Sequence, residues 1–190
     1  MTTLRGAAFL DRDGTIIEDA DYISRPEDVR LIVGAATAIA ALNEAGIPVI
    51  VVSNQSGIGR GYFTHDAYAR VQARVEDALH EEGARLDATY ICPHAPDRKP
   101  PCLCRKPRIE LFETAARDHD VDLARSWYVG DRWRDVEPAR TLGGMGRLVP
   151  ARSTPADELA RAREHGLIRD TLIEVAEEII RALTDDAGSR

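Results

Sequence analysis

Two aspartates directly follow a short apolar run near the start of the chain, and this feature constrains the fold most strongly. Residues 7–10 are too few for a helix and predict a buried β-strand. Asp11 then lies at the carboxyl end of that strand, where open α/β sheets bind their ligands. Alternate residues of an extended chain point to the same side, so Asp11 and Asp13 are expected to face one site. Gly14 then lets the chain turn away.

Carboxylates this close repel each other, so the pattern indicates either a cation between them or a covalent reaction. Mg²⁺ prefers oxygen ligands of this kind. In the covalent alternative, one aspartate attacks an electrophile while the other moves protons. A calcium-binding EF-hand is excluded because Tyr22 stands where that loop requires a glutamate.

The composition is that of an ordinary globular protein. The chain has 190 residues, of which 44% are hydrophobic and 30% charged, so we expect residues 1–190 to form a single domain with a helical tail from about residue 151. It has neither an apolar run of membrane-spanning length nor the apolar stretch of a signal peptide, so we expect a cytoplasmic protein without membrane contact. The net charge of −7 argues against a nucleic-acid partner. Arginines near the aspartates favour a small anionic ligand instead.

Further apolar runs alternate with helical patterns, which predicts an α/β protein with a doubly wound parallel sheet. The predicted strands cover residues 7–10, 49–52, 87–91, 127–130 and 147–149. Helices are predicted over about 34–45, 64–80 and 137–142, and from Pro107 onward. In the tail, the patterns Thr154…Asp157, with Pro155 between them, and Thr171…Glu174 predict two more helix starts.

Small polar residues follow the second and fourth strands. The second strand leads into Ser53, Asn54, Gln55 and Ser56 and then a glycine-rich stretch, 57–61, whose hydroxyl, amide and backbone N–H groups suit phosphate oxygens. No Gly-Lys-Ser/Thr follows, so this is not a Walker loop. The fourth strand ends at a further pair of carboxylates, Asp131 and Asp135.

All three cysteines and one histidine fall within thirteen residues: Cys92, His94, Cys102 and Cys104. Three thiols and one imidazole complete the tetrahedral ligand set of a structural Zn²⁺. The alternatives are a disulfide with one free thiol, or three unrelated cysteines, and a cytoplasmic setting disfavours the disulfide. The zinc-held loop would fix the direction of Arg105 and Lys106, which follow it immediately.

Together these strand ends resemble the motifs of haloacid-dehalogenase-like (HAD) phosphohydrolases. The matching segments are Asp-x-Asp-Gly-Thr at 11–15, Ser53, Lys106, and Gly-Asp-x-x-x-Asp at 130–135. The stretch 53–64 and the Cys-x-His…Cys-x-Cys-Arg-Lys-Pro segment further resemble the D-glycero-D-manno-heptose 1,7-bisphosphate phosphatases, over about residues 7–150. The resemblance implies a Rossmann-like HAD fold with little or no cap domain, a loop Zn²⁺ and a monomer. It also implies Mg²⁺-dependent removal of the C7 phosphate from a small phosphorylated sugar.

The same resemblance implies roles for individual residues. Asp11 would be the nucleophile and Asp13 the acid/base, with Mg²⁺ held by Asp11, the Asp13 carbonyl and Asp131. The transferring oxygens would be held by Ser53, Asn54 and Lys106. The remaining substrate contacts would come from Asp19, Asp21, Tyr22, Gln55, Ser56, Arg60, Arg105 and Arg132. Arg132 stands where these phosphatases commonly have lysine.

Two alternative functions stay open at this stage. Histidinol-phosphate phosphatase shares the zinc loop, although residues 59–63 favour the heptose enzyme. A non-enzymatic receiver or zinc-held interaction module would also carry a phospho-accepting aspartate and a lysine. Asp13, two residues after the nucleophile, favours turnover over a stable phosphoryl mark.

Overall fold

The computed structural model describes residues 4–185 and contains one five-stranded parallel sheet. Its strands are β1 (Ala8–Leu10), β2 (Val49–Asn54), β3 (Ala88–Cys92), β4 (Trp127–Gly130) and β5 (Met145–Leu148), in the spatial order β3-β2-β1-β4-β5. The doubly wound, Rossmann-like prediction is confirmed. Because all strands run in one direction, the carboxyl ends of β1, β2 and β4 lie side by side at one edge of the sheet.

Eight α-helices and two single-turn 3-10 helices accompany the sheet in residues 4–185. The α-helices are α1 (Ala35–Glu44), α2 (Ser56–Gly59), α3 (His65–Glu81), α4 (Glu110–His119), α5 (Trp133–Val136), α6 (Pro138–Leu142), α7 (Ala156–Glu164) and α8 (Leu172–Asp185). The 3-10 turns are Pro26–Asp28 and Leu123–Arg125. None of the helices in this part of the chain is both long and apolar enough to cross a bilayer.

The alternation of β1 side chains explains how the sheet divides the core. Ala8 and Leu10 face the layer formed by α1, α3 and α8. Phe9 points the other way, where its ring centroid lies 5.3 Å from that of Phe112 on α4 and 5.3 Å from that of Tyr128 on β4. All three rings are buried, so both faces of the sheet are covered and β1 is held firmly at its centre.

The structure corrects the predicted starts of two helices. Pro107 does not open α4, which begins at Glu110, because both backbone hydrogen-bonding groups of Lys106 are engaged by Asn54. Thr154 does not cap the next helix either, and α7 begins at Ala156. The Thr154 hydroxyl instead accepts from the Ala151 N–H and donates to the Asp131 carbonyl.

Other differences are smaller. Helices α2 and α5 were not predicted, since four residues are too few to show a 3.6-residue period. Strand β5 begins two residues earlier than expected. Helix α8 packs on α1 through the apolar face predicted from its sequence, and the Thr171 hydroxyl accepts from the Glu174 N–H at 3.2 Å.

Candidate active site

Three carboxylates meet at the carboxyl edge of the sheet. Asp11 follows β1, Asp131 follows β4, and Asp135 lies in α5, whose single turn carries it back toward the sheet. One oxygen from each of the three lies within 4.8 Å of the other two, and all three side chains are buried. Gly14, at φ +85°, is required here, because a Cβ on it would lie 2.7 Å from the Asp131 carboxyl carbon.

Lys106 is the cation that reaches this cluster. Its Nζ lies 2.9 Å from Asp11 Oδ1 and 2.8 Å from Asp135 Oδ1, and it also donates to the Val52 carbonyl. The side chain is 2% exposed. The backbone of Lys106 is fixed by Asn54, whose Oδ1 accepts from the Lys106 N–H at 3.0 Å and whose Nδ2 donates to the Lys106 carbonyl at 3.2 Å. Asn54 therefore positions Lys106 from the end of β2.

The charges shift the pKa values of these groups in different directions. Although burial alone would raise it, the pKa of Asp11 is lowered, because the attraction of Lys106 and Arg134 outweighs burial. Burial, together with the neighbouring Asp135 and Asp11 carboxylates, raises the pKa of Asp131 to about 7. Asp11 is thus held as a carboxylate, whereas Asp131 lacks enough positive charge around it.

The cluster fits a hard divalent cation. Asp131 Oδ1 is buried and has no hydrogen-bond partner within the described residues, a costly arrangement unless something else binds it. Three converging carboxylate oxygens are the donor set that suits Mg²⁺. Asp11 and Asp131 were predicted as ligands, and the third carboxylate of the cluster is Asp135.

Asp13 is set apart from the cluster and faces different partners. Arg12, which is 1% exposed, holds both Asp13 oxygens, with Nη2 at 3.0 Å from Oδ1 and 3.1 Å from Oδ2. Gln55 Nε2 donates to Asp13 Oδ2 at 2.7 Å and to Ser53 Oγ at 2.9 Å. The Asp13 side chain is 25% exposed, so it remains accessible while its orientation is fixed. Because Ser53 Oγ accepts from Gln55, its own O–H is available to donate.

A cavity of about 240 Å³ opens in front of these residues. It brings together the predicted nucleophile, the acid/base, the polar end of β2 and the predicted substrate-contact residues except Lys106, which is buried and does not line it. Five arginines also line it: Arg12, Arg60, Arg105, Arg132 and Arg134. This concentration of positive charge in a protein of net charge −7 suits an anionic ligand.

The mouth of the cavity is formed by an irregular loop. Asp21 and Tyr22 adopt positive φ angles of 37° and 61°, and Tyr22 packs edge-on against Tyr62 with ring centroids 4.8 Å apart. The carboxylate of Asp19 accepts from the Ser153 hydroxyl at 2.9 Å. The loop therefore contributes carboxylates and an aromatic ring to the same cavity that the arginines line.

The predicted zinc ligands converge beside this cavity. Cys92 Sγ lies 3.0 Å from Cys104 Sγ and 3.6 Å from Cys102 Sγ, and His94 Nδ1 lies 3.2 Å from Cys104 Sγ. All four ligand atoms are within 4.8 Å of one another, and the three cysteines are unbridged. Around a tetrahedral Zn²⁺, neighbouring ligand atoms are about 3.5–3.8 Å apart, so the cluster fits this ion after small shifts.

The ligand loop is joined to the rest of the site at two places. The Gly59 N–H donates to the Pro93 carbonyl at 2.8 Å, and a Cβ on Gly59 would lie 2.6 Å from the Ala95 nitrogen. Arg105 donates to the His94 carbonyl at 3.3 Å. The loop thus leads directly into Arg105 and Lys106 and sets where they enter the cavity.

The prediction from sequence gave three residues no role at this site. Asp135 was recognised at the end of the fourth strand and within the Gly-Asp-x-x-x-Asp motif, but not as a member of the carboxylate cluster. Arg12, which holds Asp13, and Arg134, which lines the cavity beside Asp11, carried no signal beyond their position next to the motif aspartates.

The chain is similar to known proteins over most of its length. A family model described as HAD-hydrolase-like matches residues 103–175. The D-glycero-beta-D-manno-heptose-1,7-bisphosphate 7-phosphatase of Haemophilus ducreyi is 33% identical over 174 residues, covering 89% of this chain and 95% of the relative. The Pseudomonas putida protein of the same name is 37% identical over 172 residues, covering 90% and 97%.

Solved structures give the same picture. A D,D-heptose 1,7-bisphosphate phosphatase from B. bronchiseptica, complexed with magnesium and phosphate, matches with a TM-score of 0.82 at 34% identity, covering 93% of this chain and 98% of that chain. A protein of the same name from Burkholderia thailandensis matches with a TM-score of 0.68 at 29% identity, covering 93% and 99%.

Proposed function

Since this chain belongs to the D-glycero-D-manno-heptose 1,7-bisphosphate phosphatase family of HAD-like hydrolases, we propose that it removes the C7 phosphate of that sugar bisphosphate. The observation that carries the proposal is the pairing of Asp11 with Lys106 at 2.9 Å, beside Asp13 and an arginine-lined cavity. A charged nucleophile, an acid/base and a cationic wall together are what phosphoryl transfer requires.

The first chemical step falls to Asp11 and Asp13. Lys106 holds Asp11 Oδ1, which leaves Oδ2 to attack phosphorus. As the new P–O bond forms, the bond from phosphorus to the C7 oxygen breaks, and protonated Asp13 gives its proton to that oxygen. The dephosphorylated sugar leaves and an aspartyl phosphate remains on Asp11.

The second step regenerates both aspartates. Asp13, now a carboxylate, takes a proton from a water molecule, which attacks phosphorus and releases Asp11 and inorganic phosphate. Arg12 and Gln55 keep the Asp13 carboxyl in one orientation during both steps. The Ser53 hydroxyl would donate to an oxygen of the transferring group, where stabilisation of charge contributes most. Lys106 would act through its charge, because its three N–H groups are taken by Asp11, Asp135 and the Val52 carbonyl.

The two proposed metal sites would have different tasks. Asp11, Asp131 and the Asp13 carbonyl would hold Mg²⁺, whose positive charge would offset repulsion between the nucleophile and the phosphate dianion. Asp135 would join these ligands or balance Lys106. Cys92, His94, Cys102 and Cys104 would hold Zn²⁺ with four protein ligands and no place for water, which is the ligand set of a structural site. Such a site would fix the loop that leads into Arg105 and Lys106.

Substrate recognition would be divided between two groups of cavity residues. Arg60, Arg105 and Arg132 would bind the second phosphate. Asp19 and Asp21 would accept from sugar hydroxyls, and Tyr22 would cover the ring. Gln55 and Ser56 line the same cavity and would add further polar contacts.

The decisive experiment measures Mg²⁺-dependent phosphate release. The α and β anomers of heptose 1,7-bisphosphate are compared with histidinol phosphate at equal enzyme concentration. For one of the two heptose anomers we expect kcat/KM to be at least about a hundredfold higher than for histidinol phosphate. The reason is that only the bisphosphate has a second phosphate for the cavity arginines to bind. Phosphorus NMR of the product should show that the C7 phosphate is lost and the C1 phosphate retained. A preference for histidinol phosphate would preserve the chemistry but contradict the proposed substrate.

The expected monomeric state and cytoplasmic location stay predictions. Light scattering after size-exclusion chromatography tests the first, with a mass near 20.9 kDa expected for a monomer. Cell fractionation tests the second.

A further inference from the structure

We infer that Ser153, which lies between β5 and α7, is a positioning residue that holds Asp19 against the sugar end of the substrate. The inference rests on the proposed function, because Asp19 has this task only if the cavity receives a sugar phosphate. The observation behind it is the hydrogen bond from the Ser153 hydroxyl to Asp19 Oδ2 at 2.9 Å, between residues 134 positions apart in sequence.

The loop that carries Asp19 forms few hydrogen bonds. In the part of the chain that the structure describes, the bond to Ser153 is the one hydrogen bond that residues 19–24 form. Asp21 and Tyr22 both have positive φ angles, which L-residues adopt at a cost unless their surroundings hold them there. The hydrogen bond from Ser153 therefore has a large influence on the position of the Asp19 side chain.

A second cavity adjoins Asp19 and Ser153. Its volume is about 400 Å³, and Asp19 also lines the reaction cavity. The Asp19–Ser153 pair is thus part of the partition between the two cavities. Without the hydrogen bond, the exposed Asp19 side chain would be free to turn toward the second cavity, while Tyr22 and Ile23 stay packed.

Ser153 is itself held in place by the reaction centre. The next residue, Thr154, donates to the Asp131 carbonyl at 2.9 Å and accepts from the Ala151 N–H at 2.9 Å. The Val149 N–H donates to the Gly130 carbonyl at 3.0 Å. The position of Ser153 is therefore set by the end of β4, and Asp19 is tied through it to the strand that carries Asp131.

This arrangement separates recognition of the sugar from recognition of phosphate. Ser153 binds one oxygen of Asp19, so the other is available to a sugar hydroxyl. Ser53, the group proposed to hold the transferring phosphate, is bound by Gln55 instead, and Lys106 is fixed by Asn54 at the end of β2. Loss of the Ser153 hydroxyl should weaken binding of the sugar substrate and leave binding of phosphate alone unchanged.

The test compares Ser153→Ala with Ser153→Thr, which keeps a hydroxyl. A matched control is Thr114→Ala, which removes a hydroxyl that donates to the Glu110 carbonyl on α4, away from the cavity. For each variant, KM and kcat on heptose 1,7-bisphosphate are measured together with the inhibition constant of inorganic phosphate. We expect Ser153→Ala to raise KM about fivefold, as loss of one hydrogen bond to a charged group would do, with kcat within about twofold. The phosphate inhibition constant should stay constant, and Ser153→Thr should restore KM.

Three results would overturn the inference. An unchanged KM in Ser153→Ala would show that Asp19 needs no tether. An equal rise in KM and in the phosphate inhibition constant would indicate a general structural role, and failure of Ser153→Thr to restore KM would exclude the hydroxyl as the cause. If the wild-type enzyme releases no phosphate from the heptose bisphosphate, the proposed function fails and the inference falls with it.

Discussion

The two metal-ligand clusters of this protein lie next to each other but are built in opposite ways. The carboxylates Asp11, Asp131 and Asp135 stand at strand ends and in the adjoining α5, supported by both layers of the core. The cluster of Cys92, His94, Cys102 and Cys104 lies mostly on a stretch without a helix or strand, between β3 and α4.

This difference indicates what each proposed ion would contribute. The carboxylate site is pre-formed by the sheet, so an ion there would add charge for chemistry and little to the fold. The loop between β3 and α4 has few backbone hydrogen bonds, so an ion there would take the place of secondary structure. Because Lys106 lies two residues after Cys104, the proposed structural site would nevertheless control the position of a proposed catalytic group.

The largest effect is expected from the carboxylate site. Asp11→Asn removes the nucleophile at nearly constant shape, so activity should fall by at least about 10⁴-fold while the melting temperature stays within a few degrees. Phosphate release and thermal melting of the same preparation measure both. Asp77→Asn, an exposed change on α3, is the matched control and should alter neither. Substantial activity in Asp11→Asn would refute the nucleophile assignment.

Removal of Zn²⁺ should lower stability as well as activity, unlike Asp11→Asn. A zinc-selective chelator, or Cys102→Ser, should destabilise the fold by more than about 2 kcal/mol, because the loop loses its cross-link. Activity should fall by about a hundredfold as Lys106 loses its position. Leu103→Ala, which changes an exposed neighbour of the ligand, is the control. If the purified protein holds no zinc, or if the chelator leaves the melting temperature unchanged, the loop between β3 and α4 does not depend on a metal ion.

Asn54→Ala tests how far the loop depends on β2. It removes both hydrogen bonds to the Lys106 backbone, so kcat should fall by about tenfold or more with zinc still bound. Asn43→Ala is a matched control, since Asn43 accepts from the Arg85 N–H at 2.8 Å, far from the site. That control should cost stability but not kcat. Equal kcat in Asn54→Ala and wild type would show that zinc alone positions Lys106.

The smallest effect concerns pH and the carboxylate site. Burial, Asp135 and Asp11 raise the pKa of Asp131 to about 7 in the metal-free protein. Protons therefore compete with Mg²⁺, and its dissociation constant should rise by about tenfold per pH unit below 7. Calorimetric titration between pH 5 and 8 measures this. An Mg²⁺ affinity independent of pH in that range would exclude a raised pKa at Asp131.

The same shift affects stability in a defined direction. Between about pH 4 and 7 Asp131 binds a proton more readily in the metal-free folded protein than in the unfolded chain, because its folded pKa lies above the ordinary value of 3.8. The contribution of Asp131 to the stability of the metal-free protein should therefore fall as the pH rises through this window. In Asp131→Asn this contribution should disappear.

The strand ends could be predicted from sequence because their signals are local. A short apolar run followed by Asp11 and Asp13 indicates a strand and its carboxyl end within a few residues, and the cysteine spacing is equally compact. The contacts that hold these groups in place are not local. The sequence carries no sign that Asn54 engages Lys106, or that Thr154 leaves its helix to bind the Asp131 carbonyl.

The most direct test of the account is a rapid-quench experiment with substrate that carries ³²P at C7. The account predicts that label appears on the wild-type protein within the first turnover and passes to inorganic phosphate at the rate of turnover, whereas Asp11→Asn acquires none. Label that stays on the protein for hours, or phosphate release without any labelled protein, would contradict it.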